Sequence, residues 1–122
     1  MSRSVWSRGA QGSLTDRFAA AFKAKTGAEM ADLTGRVMQA FFVLADAFNR
    51  AGSTEPAKLQ GALRATDLQA SQLIVGYRGV KFDKTGQNEA GSTYLTQLQG
   101  PGYVTVWPEA SATARLQWPI AG

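Results

Sequence analysis

The most regular pattern in the sequence is an apolar stripe that predicts a long helix in the first half of the chain. Five large apolar residues follow one another at spacings of four, four, three and four: Leu33, Val37, Phe41, Leu44 and Phe48. This spacing keeps side chains on one face of an α-helix. Neighbouring apolar residues widen the stripe, so we expect other elements to cover this helix on two sides.

The end residues predict where this helix begins and ends. Asp32 near the start and Arg50 near the end suit the helix dipole, and Gly52 is typical of the position after the last turn. Gly35 lies inside the helix, where glycine costs about 1 kcal/mol relative to alanine. It therefore indicates either a later helix start or a close packing contact at that position.

Shorter helices are predicted on both sides of the long one. Ser13 is a typical N-cap with Asp16 three residues later, and the helix that follows is expected to end at Gly27. A third, short helix is predicted after Gly52, because Pro56 suits a first helical turn. The tight link between the second and third helices predicts that they pack as neighbours.

After Asp67 the pattern changes from helices to strands. Leu73–Val75 and Val80–Phe82 are short runs typical of strands. The clearest hairpin joins Thr93–Gln99 to Tyr103–Trp107 through Gly-Pro-Gly. Alternation along the first of these strands predicts a sheet with one solvated face.

These elements predict an α+β fold, with three helices followed by two short antiparallel β-hairpins. We expect a single domain over residues 1–122. Its predicted parts are a loose lead-in, a helical part, a strand part and a tail: 1–12, 13–66, 72–108 and 109–122. Within the lead-in, Val5 and Trp6 are the residues suited to pair with a sheet edge.

The composition excludes several kinds of functional site. The 122 residues are enough for one modest core. The absence of Cys and His excludes disulfides and Cys/His zinc sites, and no nucleophile-elbow or phosphate-loop motif is present. We therefore expect no enzyme activity, no catalytic residue, no metal and no cofactor. The net charge is +4, but the basic residues are scattered, which counts against nucleic acid as a partner.

Carboxylate pairs have simple structural interpretations. Glu29 and Asp32 lie three residues apart, as expected for acidic residues near a helix start. Asp83 and Glu89 flank a turn, and an Asp that caps its own turn is the favoured interpretation there. No apolar stretch approaches the roughly 20 residues of a membrane span. The first dozen residues lack the apolar run of a signal peptide.

Several segments together resemble one protein family. The stretch LADAFNRAGSTEP over Leu44–Pro56, the stretch LQGALRATDL over Leu59–Leu68 and the turn GVKFDKTGQN over Gly79–Asn88 occur in order. Tyr94–Pro108, with its Val-Trp-Pro ending, continues the series. The chain is thereby similar, from about Leu14 to Pro108, to the C-terminal portion of periplasmic (type I) ABC-transporter substrate-binding proteins of the branched-chain amino acid-binding class.

The resemblance implies a fold, a ligand and a partner. The fold would be the terminal part of a type I periplasmic-binding-protein fold, in which two lobes close on a solute by a hinge motion. The parent protein would be periplasmic, bind a small amino-acid-like ligand and present it to an ABC permease. Most of both lobes is absent from this sequence, so the resemblance predicts a fragment or truncated form that does not bind ligand alone.

The resemblance also assigns site residues. The family's ligand-facing position near the start of the second helix falls at Leu33 and Thr34. The turn carrying Phe82, Asp83, Gly86, Gln87 and Asn88 is interpreted as a structural, hinge-proximal bend. Two other hypotheses stay open from the residues themselves. One is a small interaction module that associates with a second copy as a homodimer, and the other is an α+β enzyme or nucleic-acid binder.

Overall fold

The predicted helices are present in the computed structural model, which describes residues 1–8 and 12–119. They are α1 over Leu14–Thr26, α2 over Asp32–Ala51 and α3 over Pro56–Arg64. Ser13 caps α1 by accepting a hydrogen bond from the Asp16 N–H at 3.2 Å. Gly27 and Gly52 end α1 and α2 with φ of +74° and +56°, a conformation that favours glycine.

Five short strands form two antiparallel sheets. They are β1 over Ser2–Ser4, β2 over Asp67–Gln69, β3 over Gly79–Lys81, β4 over Tyr94–Gln99 and β5 over Gly102–Trp107. One sheet has the order β1–β4–β5 and the other pairs β2 with β3. The α+β class is therefore confirmed, and the β4–β5 hairpin lies where the sequence predicts it.

Two local predictions are wrong, one for a strand and one for the start of the chain. Leu73–Val75 is not a strand, and β3 pairs with Asp67–Gln69 instead. All three side chains of Leu73–Val75 are buried, so burial rather than sheet pairing explains its apolar run. The start of the chain is not a loose lead-in, because Ser2–Ser4 pairs with β4 and Val5 is buried. Residues 9–11 of that predicted lead-in lie outside the described residues, as do 120–122 of the predicted tail.

The β4–β5 sheet does not have one solvated face. Thr96 and Gln97 are consecutive in β4 and both are buried. The tail covers the second face, since the Gln97 side chain donates to the Gln117 carbonyl at 2.8 Å and accepts from its N–H at 2.9 Å. A register shift between Leu95 and Thr96 accompanies this change of face.

The core-facing side of α2 differs from the predicted stripe. Its buried residues recur at a spacing of four: Gly35, Gln39, Val43 and Ala47. The predicted stripe is exposed instead, with relative exposures of 72%, 46%, 61%, 36% and 36% for its five residues in chain order. The helix thus packs through a face that contains two small residues, Gly35 and Ala47, and leaves its large apolar stripe on the outside.

The core consists of two adjoining clusters. One contains Val5, Val43, Leu73, Val75 and Val80, and the other contains Ala19, Met30 and Ile74. Trp6 packs against both clusters. The start of the chain therefore holds the helices and the 73–75 segment together. Within residues 1–8 and 12–119, no helix combines the length and the hydropathy needed to cross a membrane.

Candidate ligand-binding site

A cavity of about 520 Å³ lies beside the first turn of α2. The segment Ser2–Arg8 forms one wall, residues 30–32 form a second, and β4 and β5 contribute Thr96, Tyr103 and Thr105. Its volume falls within the roughly 300–1,000 Å³ of small-molecule sites. It offers a carboxylate at Asp32, two arginines and two aromatic rings, a mixture suited to a small polar molecule.

Asp32 joins the start of the chain to α2. Its Oδ1 accepts hydrogen bonds from the Ser4 hydroxyl at 2.6 Å, the Val5 N–H at 2.7 Å and the Trp6 N–H at 3.2 Å. Its Oδ2 accepts from the Arg36 Nε–H at 2.7 Å. The side chain is thus engaged by four donors of its own chain, which gives it a structural role at the cavity wall.

These donors shift the acidity of Asp32. Burial alone would raise its pKa, but the hydrogen bonds from Ser4, Val5 and Arg36 favour the ionised form and outweigh burial. The net result is a lowered pKa. The pKa of an Asp in an unfolded chain is about 3.9. A group whose pKa is lower than this in the folded chain stabilises the fold at pH values above the unfolded pKa. The stabilisation is lost as the pH falls through the folded value.

Asp32→Asn tests this linkage. At pH 7 the variant is expected to lose about 1–2 kcal/mol of unfolding free energy, because charge-assisted hydrogen bonds weaken and solvent screens part of the effect. The difference from the unmodified chain should shrink as the pH is lowered below about 4, because Asp32 then takes up a proton in the unfolded chain before it does so in the folded one. Urea denaturation at a series of pH values measures both. A difference that stays constant down to pH values of about 2 would contradict the assignment.

Gly35 fixes how the cavity wall packs against α2. A methyl group added there would lie 2.5 Å from Cδ1 of Trp6, so only glycine lets the Trp6 side chain approach the helix this closely. The ring nitrogen of Trp6 is buried and has no acceptor among the described residues. The close contact therefore explains why a glycine lies inside α2, for which the sequence alone leaves two explanations.

Of the two arginines that line the cavity, Arg8 belongs to a surface ion pair. Arg8 donates to Asp16 at 2.7 Å, and the Gly12 N–H and Arg8 together lower the pKa of Asp16. Glu29 does not share a helix face with Asp32, because it precedes α2 and pairs with Lys23. Among the residues that the structure describes, no three acidic side chains converge on a site for a metal ion.

Leu33 and Thr34, the predicted ligand-facing residues, lie next to the cavity but not on its wall. Asp32 is the residue of the first turn of α2 that lines it. Leu33 points outward with 72% of its surface exposed. The structure also identifies Ser4 and Trp6 as wall residues. Their signal in the sequence is weak, since one serine and one tryptophan in a polar segment form no motif.

The predicted turn is held by the Asp83 side chain. Its Oδ1 accepts from the Thr85 N–H at 2.7 Å, the Thr85 hydroxyl at 2.6 Å and the Gln87 N–H at 3.0 Å. The Thr85 hydroxyl is the largest of the contributions that lower the pKa of Asp83. Gly86 has φ of +88°, which a side chain would strain.

Asn88 closes the same turn from its other side. Its side chain accepts from the Lys81 N–H at 3.0 Å and donates to the Gly79 carbonyl at 3.1 Å, and it forms a β-bridge with Phe82. None of the five turn residues lines the cavity at Asp32. Phe82 and Asn88 instead line a second, mostly apolar cavity of about 470 Å³ along α2.

Comparison with known proteins agrees with the family predicted from sequence. No family model matches the chain. Leu/Ile/Val-binding protein homolog 8 of Brucella abortus is 36% identical over 105 residues, which cover 83% of this chain and 25% of that protein. Homolog 7 of the same species is 36% identical over 77 residues, 63% of this chain and 19% of that protein.

A solved structure is similar in fold. The leucine-binding protein LivK of Thermotoga maritima superimposes with a TM-score of 0.65 and 22% identity over 84% of this chain and 28% of its own. The chain therefore spans about a quarter of the length of the proteins it matches. The predicted resemblance is confirmed: the homologues of this chain are Leu/Ile/Val-binding protein homologs, and its fold is part of the periplasmic-binding-protein fold.

Proposed function

We propose that this chain is a fragment or truncated form of an ABC-transporter solute-binding protein for branched-chain amino acids or similar small solutes. The observation that carries the proposal is the 36% identity over 105 residues to a Leu/Ile/Val-binding protein homolog. The likeness in fold to a leucine-binding protein supports it. In the full-length parent, the partners would be an amino-acid-like ligand and an ABC permease, and the location would be the periplasm.

We further propose that the 122 residues do not bind the ligand alone and carry no enzyme activity. The only carboxylate on the wall of the cavity at α2, among the described residues, is Asp32, which already accepts four hydrogen bonds from its own chain. Leu33 and Thr34 lie off that wall. In the parent, these two residues would contact a ligand held mainly by other parts of the protein. The turn at Asp83 would lie near the hinge.

Isothermal titration calorimetry of the chain with leucine, isoleucine and valine tests this proposal. We expect no saturable heat, corresponding to dissociation constants weaker than about 1 mM. A small ligand is normally enclosed over most of its surface. This cavity is lined by a chain that spans only about a quarter of the length of the proteins it matches. Saturable micromolar binding of any of the three amino acids would refute the proposal.

A second candidate function is that of a small protein-interaction module. The observation that favours it is the exposed stripe of α2, because contiguous apolar patches on a protein surface commonly mark interaction sites.

A further inference from the structure

We propose that the exposed stripe of α2 is a self-association surface, through which two copies of this chain pair as an antiparallel, two-fold symmetric helix pair. The stripe comprises Leu33, Val37, Phe41, Leu44 and Phe48. No charged residue occurs from Val37 to Ala45. This inference is independent of the solute-binding proposal, since it needs no ligand.

The stripe is large enough to form a specific interface. It runs along fifteen steps of α2, about 22 Å at 1.5 Å per residue. A large apolar side chain offers on the order of 150–200 Å², so the exposed fractions leave on the order of 450 Å² per copy. A pair would therefore bury roughly 900 Å² from these five residues. Exposed Ala40 and Ala45 bring the total to about 1,000 Å², the lower limit for a specific interface.

The spacing of the stripe indicates a second copy as the occupant. Its midpoint falls between Ala40 and Phe41, and the positions on either side mirror each other: Leu33 with Phe48, and Val37 with Leu44. A two-fold interface brings the same patch of both copies together, so each residue meets its mirrored position on the partner. In an antiparallel pair four of the five large side chains of the stripe thus face one another, while Phe41 meets Ala40 of the other copy beside the axis.

The second cavity extends the same surface. Leu44 belongs to the stripe and also lines the cavity together with the exposed Ala40, and the cavity continues to Leu63, Tyr77 and Phe82. This cavity contains few polar groups, so covering it with apolar side chains of another copy would bury surface without leaving many donors unpaired. The apolar area available to a partner is therefore wider than the helix alone.

Single cysteines test the geometry, because the chain contains none of its own. Ala40→Cys places a thiol at the midpoint, where the two copies would approach within the roughly 4.4–6.8 Å between Cα atoms that a disulfide needs. Leu33→Cys is the matched control, since its two copies would lie about 22 Å apart along an antiparallel pair. Mild oxidation is expected to link Ala40→Cys and to leave Leu33→Cys largely unlinked. Equal linking of both variants would overturn the antiparallel arrangement.

Sedimentation equilibrium tests the association itself. The unmodified chain is expected to form dimers at about 100 µM, and Phe41→Glu should weaken association at least about tenfold. Circular dichroism of the variant should be unchanged, because Phe41 is exposed. A monomer at that concentration would overturn the proposal, whatever the calorimetry with amino acids gives.

Discussion

Replacing Ile74 by alanine is expected to lower the free energy of unfolding by about 2–5 kcal/mol. Ile74 is 2% exposed and packs against Ala19 and Met30 in the core. Truncation removes apolar contacts and leaves a cavity that the surrounding helices cannot readily fill. The backbone hydrogen bond from Ile74 to Gln39, at 2.7 Å, is retained in the variant. The loss therefore reports on side-chain packing, and urea denaturation followed by circular dichroism measures it.

The matched control for this experiment is Leu33→Ala. Sequence periodicity alone would rank Leu33 among the core residues, but it is 72% exposed. In dilute solution its truncation is expected to change stability by no more than about 0.5 kcal/mol. If Leu33→Ala destabilised the chain as much as Ile74→Ala, the assignment of the inner and outer faces of α2 would be wrong.

Gly35→Ala is expected to lower the free energy of unfolding by about 1–3 kcal/mol, although alanine is the better helix former. The added methyl group meets the Trp6 ring at 2.5 Å, so the ring or the helix must move. Gly61 in α3 is the matched control, because a methyl group there meets nothing within 4 Å. Gly61→Ala should raise stability by about 0.5–1 kcal/mol. Thermal unfolding of the two variants measures this contrast.

A double-mutant cycle identifies the Trp6 contact as the cause. In a Trp6→Leu background, Gly35→Ala should lower the free energy of unfolding by much less, since the smaller side chain no longer covers position 35. An unchanged cost of Gly35→Ala in that background would show that some other strain in α2 explains the loss.

The helices could be predicted because their ends depend on the residue types at the caps and their immediate neighbours. Ser13, Gly27 and Gly52 lie at the caps that their residue types favour, and each needs only its immediate neighbours to act. The β4–β5 hairpin could be predicted for the same reason, from the Gly-Pro-Gly between two strand-like runs. Local signals of this kind do not depend on the rest of the fold.

The buried face of α2 could not be predicted, because it depends on distant segments. Small residues at Gly35 and Ala47 allow close approach, and Gln39 is buried because it accepts the Ile74 N–H from 35 residues away. Periodicity favours the side with the largest apolar residues, whereas the structure buries the side that admits Trp6 and the 73–75 segment. Apolar residues on two sides of a helix leave this choice open in the sequence.

The candidate site was predictable only in part. Asp32 was recognised as an acidic residue of a first helical turn, which it is. Its hydrogen bonds with Ser4, Val5 and Trp6 span 26 to 28 residues and involve a segment without periodicity. No local sequence pattern therefore predicts them. The assignments of Leu33 and Thr34 to ligand contact, and of the Asp83 turn to the hinge region, remain predictions from the family resemblance.

An amide NMR titration with leucine tests whether this part of a solute-binding protein folds by itself and lacks a working ligand site. We expect a well-dispersed spectrum in which the amide resonances of Val5, Trp6 and Leu33 do not shift up to about 1 mM leucine. Saturable movement of these amides at micromolar leucine would contradict it, as would a collapsed spectrum typical of an unfolded chain.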